Sequence, residues 1–380
     1  MWELRITLIL CSFVCRHWRD YVGNYSSKPI EVPFEELLAF GDTVRQDRRI
    51  SSQITRLKLR KNSATTPVSS FVMDHQLPNL DYLNIHELDL AREHQRLYGA
   101  LLFPCVQDLR LYRLQSCQLS QLVRFINAFP SLLRLDLDFA FNRLEHKGRI
   151  LPNLGQNYNL RSLMWLQLDL IPGVSGLVHW LLEKQFLGRL ETLALSIRNT
   201  EDLAGSRSSV AGVGRLLQRC CATVSGLSLL VSGVPMIDTI SDIGERIALS
   251  LYCFFSYVQV VQLSQFRNLS VLTYSSNGKG YILPYAVRQL QSTSWNTCIT
   301  KIVFDICLDP NERHLDRDLC RALDNVLRED RFSVLGAVLL HSSISFLFFP
   351  RLNNARMLGV LPRSRWIDLP VQRYVKTIIL

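Results

Sequence analysis

Asp136 and Asp138 stand two residues apart in Leu135-Asp136-Leu137-Asp138. Two residues is the repeat of a strand, so both carboxylates would face the same way. Two carboxylates on one face could act as acid and base, but that chemistry needs a nucleophile or a metal beside them and none is evident. A solvated strand face is the favoured reading. His86 and His94, eight apart in a loop-like stretch, read as surface or packing residues rather than metal ligands. Gly212-x-Gly214 and Gly278-x-Gly280 lack the third glycine or the Lys-Ser/Thr of a phosphate loop. The chain holds no G-x-S-x-G elbow, no H-E-x-x-H and no C-x-x-C. The expectation is a protein that is not an enzyme, with no catalytic residue, metal or cofactor. A hydrolase or transferase with a concealed site is the remaining enzymatic alternative, and it would need a convergent pocket of titratable groups.

The aspartates belong to a larger pattern. Leu80-x-x-Leu83-x-Ile85, Val106-x-x-Leu109-x-Leu111 and Leu132-x-x-Leu135-x-Leu137 start 26 residues apart, and Ile54-x-x-Leu57-x-Leu59 lies 26 residues before the first. A fixed period of that size signals a solenoid, and the apolar–polar alternation inside each motif is that of a strand. The theme continues more loosely at Leu163, Leu190, Val224, Leu269, Ile299 and Leu335, at intervals of 27 to 45 residues. Helices are predicted between the strands, around Gln121–Ile126, Gly176–Leu182, Val210–Cys221, Ile237–Phe255, Leu283–Gln291 and Leu315–Leu327, where apolar residues recur at three and four. Ser120 and Ser175 are placed to cap the first two.

If the leucines of each strand point into a core, their neighbours point out. That rule selects Arg56, Lys58 and Arg60; Tyr82, Asn84 and His86; Asp108, Arg110 and Tyr112; Arg134, Asp136 and Asp138; Trp165, Gln167 and Asp169. Across parallel neighbours they would form one exposed surface running from basic through aromatic to acidic. Solenoids use the concave sheet for partners, and Tyr, Trp and Arg are the types enriched at binding hot spots.

The net charge of +10 is spread without a Lys/Arg block or an aromatic-interleaved patch, which disfavours nucleic acid as a partner. A hydrophobic content of 48% argues against disorder. No apolar run is long enough for a transmembrane helix, and Glu3, Arg16, His17 and Arg19 give Met1–Cys15 the wrong flanks for a signal peptide. The ten cysteines, mostly within apolar segments, read as buried free thiols of a reducing compartment, cytoplasmic or nuclear.

Short strand and helix alternating at this period resemble leucine-rich repeats. The asparagine position that follows L-x-x-L-x-L is filled by Asn62, Leu88, Leu114 and Ala140, so apolar packing rather than an asparagine ladder would hold the turns. Residues 1–25 read as helix, with Leu4, Leu8, Cys11, Phe13, Val14, Cys15 and Trp18 as the apolar set. The run Cys11-Ser12-Phe13-Val14-Cys15-Arg16-His17-Trp18-Arg19 is similar to the closing helices of an F-box, although the Leu-Pro-x-Glu-type opening of that motif is not found before it. The whole chain therefore resembles the fungal F-box proteins with irregular leucine-rich repeats.

The resemblance implies an α/β horseshoe, with parallel strands on the concave face and helices outside, behind a short helical F-box remnant. The domains would be residues 1–25, partial F-box; 26–50, linker and short helix around Phe34–Phe40; 51–343, repeats; and 344–380, a C-terminal cap or tail. It also implies a substrate-recognition subunit of a cullin-RING ubiquitin ligase. Val14, Cys15 and Trp18 would hold a Skp-type adaptor and through it the cullin scaffold, and the concave face would hold a protein substrate. The alternative is a stand-alone repeat scaffold in which the N-terminal helix only caps the solenoid.

Overall fold

The computed structural model describes residues 2–14, 28–61, 77–90, 104–115, 118–139, 163–169, 174–183, 186–197, 207–232, 263–277, 282–291, 298–307, 317–327, 329–342 and 377–379. The fold is α/β, and the chain divides into two compact units. The first comprises residues 1–166 and 179–189, and the second residues 167–178 and 190–380.

The first unit opens with α1 (Trp2–Ser12), then β1 (Ile30–Pro33), α2 (Leu37–Gln46) and α3 (Arg48–Gln53). β2 (Arg56–Arg60), β3 (Tyr82–His86), β4 (Asp108–Leu114), α4 (Leu119–Asn127) and β5 (Arg134–Phe139) follow. β6 (Trp165–Asp169) begins in this unit and ends in the second. β1 to β5 pair parallel in chain order.

The 26-residue period is what sets the register. Leu57, Leu83, Leu109 and Leu135 fall opposite one another, as do Leu59, Ile85, Leu111 and Leu137. All eight are at most 1% exposed, and each contributes roughly 1.5–3 kcal/mol by leaving water. A second repeating device sits just before the strands. The Thr55 carbonyl accepts from both Asp81 and Tyr82 N–H, Asp81 from Gln107 and Asp108, Gln107 from Leu133 and Arg134, and Leu133 from Met164 and Trp165.

The second unit contains the end of β6, β7 (Thr192–Ile197), α6 (Arg207–Cys220), β8 (Gly226–Ser232), β9 (Val271–Asn277), α7 (Ile282–Gln291), β10 (Lys301–Cys307), α8 (Arg317–Leu327), β11 (Ala337–Ser342) and β12 (Thr377–Ile379). The helix α5 (Val174–Glu183) is divided between the two units. β7 to β11 pair parallel, and β12 returns antiparallel on β11. The carbonyl device recurs at Glu191, Ser225, Ser270 and Thr300 despite the irregular spacing. Here hydroxyls reinforce it: Ser225, Ser270 and Thr300 Oγ each donate to the carbonyl one layer back, at 3.1–3.3 Å.

Four details depart from the expectations. The stretch around Pro29 and Pro33, expected as linker, carries β1: Val32 is fully buried and the strand pairs with β2. Among the described strands it has one neighbour, β2, and a proline is tolerated at such an edge. The cap of α4 is Gln118, with Gln121 answering in a capping box, and not Ser120; Ser175 lies inside α5. The buried stripe of α1 is Trp2, Ile6 and Ile9, while Leu4 is 65% exposed, because a stripe at steps of four and three faces one way and Leu4 falls outside it. The cysteines are mixed: Cys220 is buried, Cys11 and Cys221 are intermediate, and Cys105 and Cys298 are exposed. The helix expected at Ile237–Phe255 lies outside the described residues, as does the C-terminal stretch 344–380 apart from β12.

Candidate binding face

The polar face of the first unit is built by strand alternation. Parallel register lines up Arg56, Tyr82, Asp108 and Arg134 in one row, and Lys58, Asn84, Arg110 and Asp136 in the next. Arg60, His86 and Tyr112 form the third. The predicted residues are thus brought together, but they are not a solvated surface. Tyr82, Asn84, Asp136 and Asp138 are buried, Asp136 to 1%. Tyr82 is covered by Arg56 and Arg110, whose guanidinium groups lie over its ring.

The arginines use the aromatic rings as platforms. Arg56 and Arg110 both stack on Tyr82, with guanidinium carbons 4.4 and 5.0 Å from its centroid, and Arg134 lies 3.7 Å from that of Trp165. His86 and Tyr112 meet at 5.1 Å between ring centres.

Carboxylates are shared. Glu31, on the unanticipated β1, lies 3.3 Å from Lys58 Nζ and 3.7 Å from Arg60. Asp108 accepts two 3.1 Å hydrogen bonds from Arg110 and stands 3.8 Å from Arg134 Nε. Asp136 Oδ2 accepts the Tyr112 hydroxyl at 2.7 Å, whereas its buried Oδ1 makes no hydrogen bond.

These surroundings move the proton affinities. Burial, opposed in part by Tyr112, Arg110 and Arg134, lifts the Asp136 carboxyl above its usual range. Burial and the Asp136 hydrogen bond raise the Tyr112 hydroxyl. Burial, then Lys58, lowers His86, so its ring is neutral at neutral pH. Burial, then Arg110, disfavours the charge on Arg134.

Gln167 and Asp169 belong to the second unit, where Gln167 is half-buried and Asp169 is 1% exposed. Of the F-box-like residues, Val14 follows α1 and is 76% exposed, and Cys15 and Trp18 lie outside the described residues, as does His94. Sequence reasoning missed Glu31, Glu87 and Arg113. Glu31 was hidden because its strand lacks the leucine motif.

Among the described residues no group of three or more His, Cys, Asp or Glu is placed to hold a metal ion, and no helix is long and apolar enough to cross a membrane. Chemically, the face offers guanidinium groups lying over aromatic rings and carboxylates shared between cations. No known family model matches the chain, and no curated protein matches it.

Proposed function

We propose that this protein is a protein-recognition module of irregular leucine-rich repeats, serving as the substrate-recognition subunit of a cullin-RING ubiquitin ligase. The observation that carries the recognition part is the register of the first unit, which sets arginine and tyrosine side chains in rows across β2 to β5, with Trp165 beneath Arg134. Rings under guanidinium groups are rigid and amphipathic, the composition of binding hot spots. The ligase part rests on the F-box-like run Cys11–Arg19, and on Val14 standing exposed beyond α1, where an adaptor could reach it.

The alternative, a scaffold in which α1 caps the repeats, has its own support. Trp2 packs edge-on against Phe40 at 5.4 Å, its indole N–H donates to Glu36, and Arg5 donates to the Lys28 carbonyl at 2.8 Å. A terminal repeat needs such a cover, and one helix can cover the core with one side and meet an adaptor with the other.

A pull-down with purified Skp-type adaptor separates the two. The ligase reading requires the chain to retain the adaptor and Trp18→Ala to lose it. No retention, or equal retention by the variant, leaves the capped scaffold as the function.

A further inference from the structure

The cations of the first unit's strand face differ in how fully they are answered. Lys58 and Arg60 share Glu31, Arg110 holds Asp108 through two hydrogen bonds, and Arg113 holds Glu87 at 2.7 Å. Arg134 is answered less fully than these four. Its Nε is buried and unbonded, and its nearest carboxylate oxygen is 3.8 Å away on Asp108, already engaged by Arg110. Its side chain is 36% exposed. The guanidinium carbon lies over the Trp165 ring, 3.7 Å from its centroid.

We propose that Arg134, laid on Trp165, is the seat for a carboxylate side chain from an acidic segment of the protein partner. The inference rests on the strand face being the binding face. A carboxylate matches the planar two-donor fork of arginine. A phosphate dianion fits worse, because Asp108 and Asp136 flank the same guanidinium and would repel the second charge. Burial and the neighbouring Arg110 disfavour the charge on Arg134, and a bound carboxylate reverses that penalty. Trp165 fixes the guanidinium before binding, so little side-chain freedom is lost when the anion arrives.

The test selects random displayed dodecapeptides on the full chain, then measures affinities of the selected peptides with each Asp or Glu replaced by Asn or Gln. The expected result is enrichment of acidic residues, one of which cannot be replaced without a loss of about tenfold or more. Arg134→Gln should give the same loss, Arg134→Lys a smaller one, and Asp108→Asn, which removes the competing carboxylate, tighter binding. Coincident thermal unfolding curves show that the variants are folded. Phosphoserine in place of the critical acid should weaken binding, and tighter binding of that peptide overturns the assignment to a carboxylate.

Arg60→Trp, bulky and on the same face, separates the two levels of the argument. Peptides that lose affinity to Arg60→Trp but tolerate both Arg134→Gln and the Gln peptides overturn the carboxylate seat while the face survives. Peptides indifferent to every one of these substitutions overturn the face and the seat together.

Discussion

Glu87 and Arg113 stand at the ends of neighbouring strands β3 and β4, both in the left-handed backbone region, with φ of 61° and 56°, and their side chains join at 2.7 Å. The Glu87 N–H donates to the Tyr112 carbonyl at 2.8 Å, and the register with β5 shifts between Leu111 and Leu114. The consequence shows one residue on, where Leu88 and Leu114 turn inward to 1% and 2% exposure. At both strand ends a left-handed residue turns the backbone and a leucine fills the space behind it.

Left-handed geometry costs a side-chain-bearing residue roughly 1–2 kcal/mol, and the pair it carries is largely solvated, so its return is about 0–1 kcal/mol. Arg113→Gly should therefore leave stability unchanged or raise it by up to about 1 kcal/mol. Arg113→Val, β-branched, should lower it by about 1–3 kcal/mol. Urea unfolding of the two variants checks this, and a glycine variant weaker than the valine one would refute the account.

The strands were legible because period and alternation act together: a 26-residue step fixes which leucines meet, and the step of two fixes which face they share. The turn at Arg113 was not legible, since nothing about arginine signals positive φ. β1 was hidden because Ile30 and Val32 pair with β2 without the leucine motif. The alternation placed the strand-face residues from Arg56 to Asp136 in their register rows, yet the exposure expected for three of them was misjudged. Alternation says which way Tyr82, Asn84 and Asp136 point and says nothing of how deeply they are buried, nor of the two arginines over Tyr82. A further signal went unread. Asn79 and Asn268, each just before the first apolar residue of a repeat, donate to the Ser52 and Ala222 carbonyls of the preceding layer. These two repeats thus use an asparagine at the entrance of the strand.

Tyr112 and Asp136 supply a pH-dependent prediction. The folded pKa of Asp136 lies above the ordinary 3.8, so the folded state keeps the proton to higher pH than the unfolded chain. The stability this brings is complete below the unfolded value and is lost as pH rises through the folded one. Tyr112 donates to the ionised carboxylate and holds that pKa down, against burial and Asp138 and alongside Arg110 and Arg134. Tyr112→Phe should raise the Asp136 pKa further. It should cost about 1.5–3 kcal/mol where Asp136 is ionised and about 1 kcal/mol where it is protonated. Carboxyl carbon shifts and urea unfolding across the acid range measure both, and a penalty independent of pH would rule the coupling out.

The thiols should divide by environment. Burial, with smaller help from Cys221, pushes the Cys220 thiol up to about 12, while Cys105 and Cys298 are exposed. Because the thiolate is the reactive form, a disulfide reagent at mildly alkaline pH should modify Cys105 and Cys298 in the folded protein and reach Cys220 only on unfolding. Peptide mapping after timed labelling reads this directly. Modification of Cys220 at the rate of Cys298 would mean that the packing of α6 has been misjudged.

The N-terminal helix carries the sharpest contrast between stability and binding. Trp2 is 5% exposed and packs on Phe40, so Trp2→Ala removes a large buried ring and should cost about 3–5 kcal/mol. Loss of the cover over the first layer should also open β1 and α2 to proteolysis before the rest of the unit. Val14, at 76% exposure, should accept alanine within about 0.5 kcal/mol. If α1 is a cap alone, Val14→Ala is silent in every assay. If the F-box-like surface is used, Val14→Ala weakens adaptor retention while thermal unfolding stays put, and Trp2→Ala weakens both together. Equal effects of the two substitutions on stability would show that the buried stripe Trp2, Ile6 and Ile9 is not what holds the helix in place.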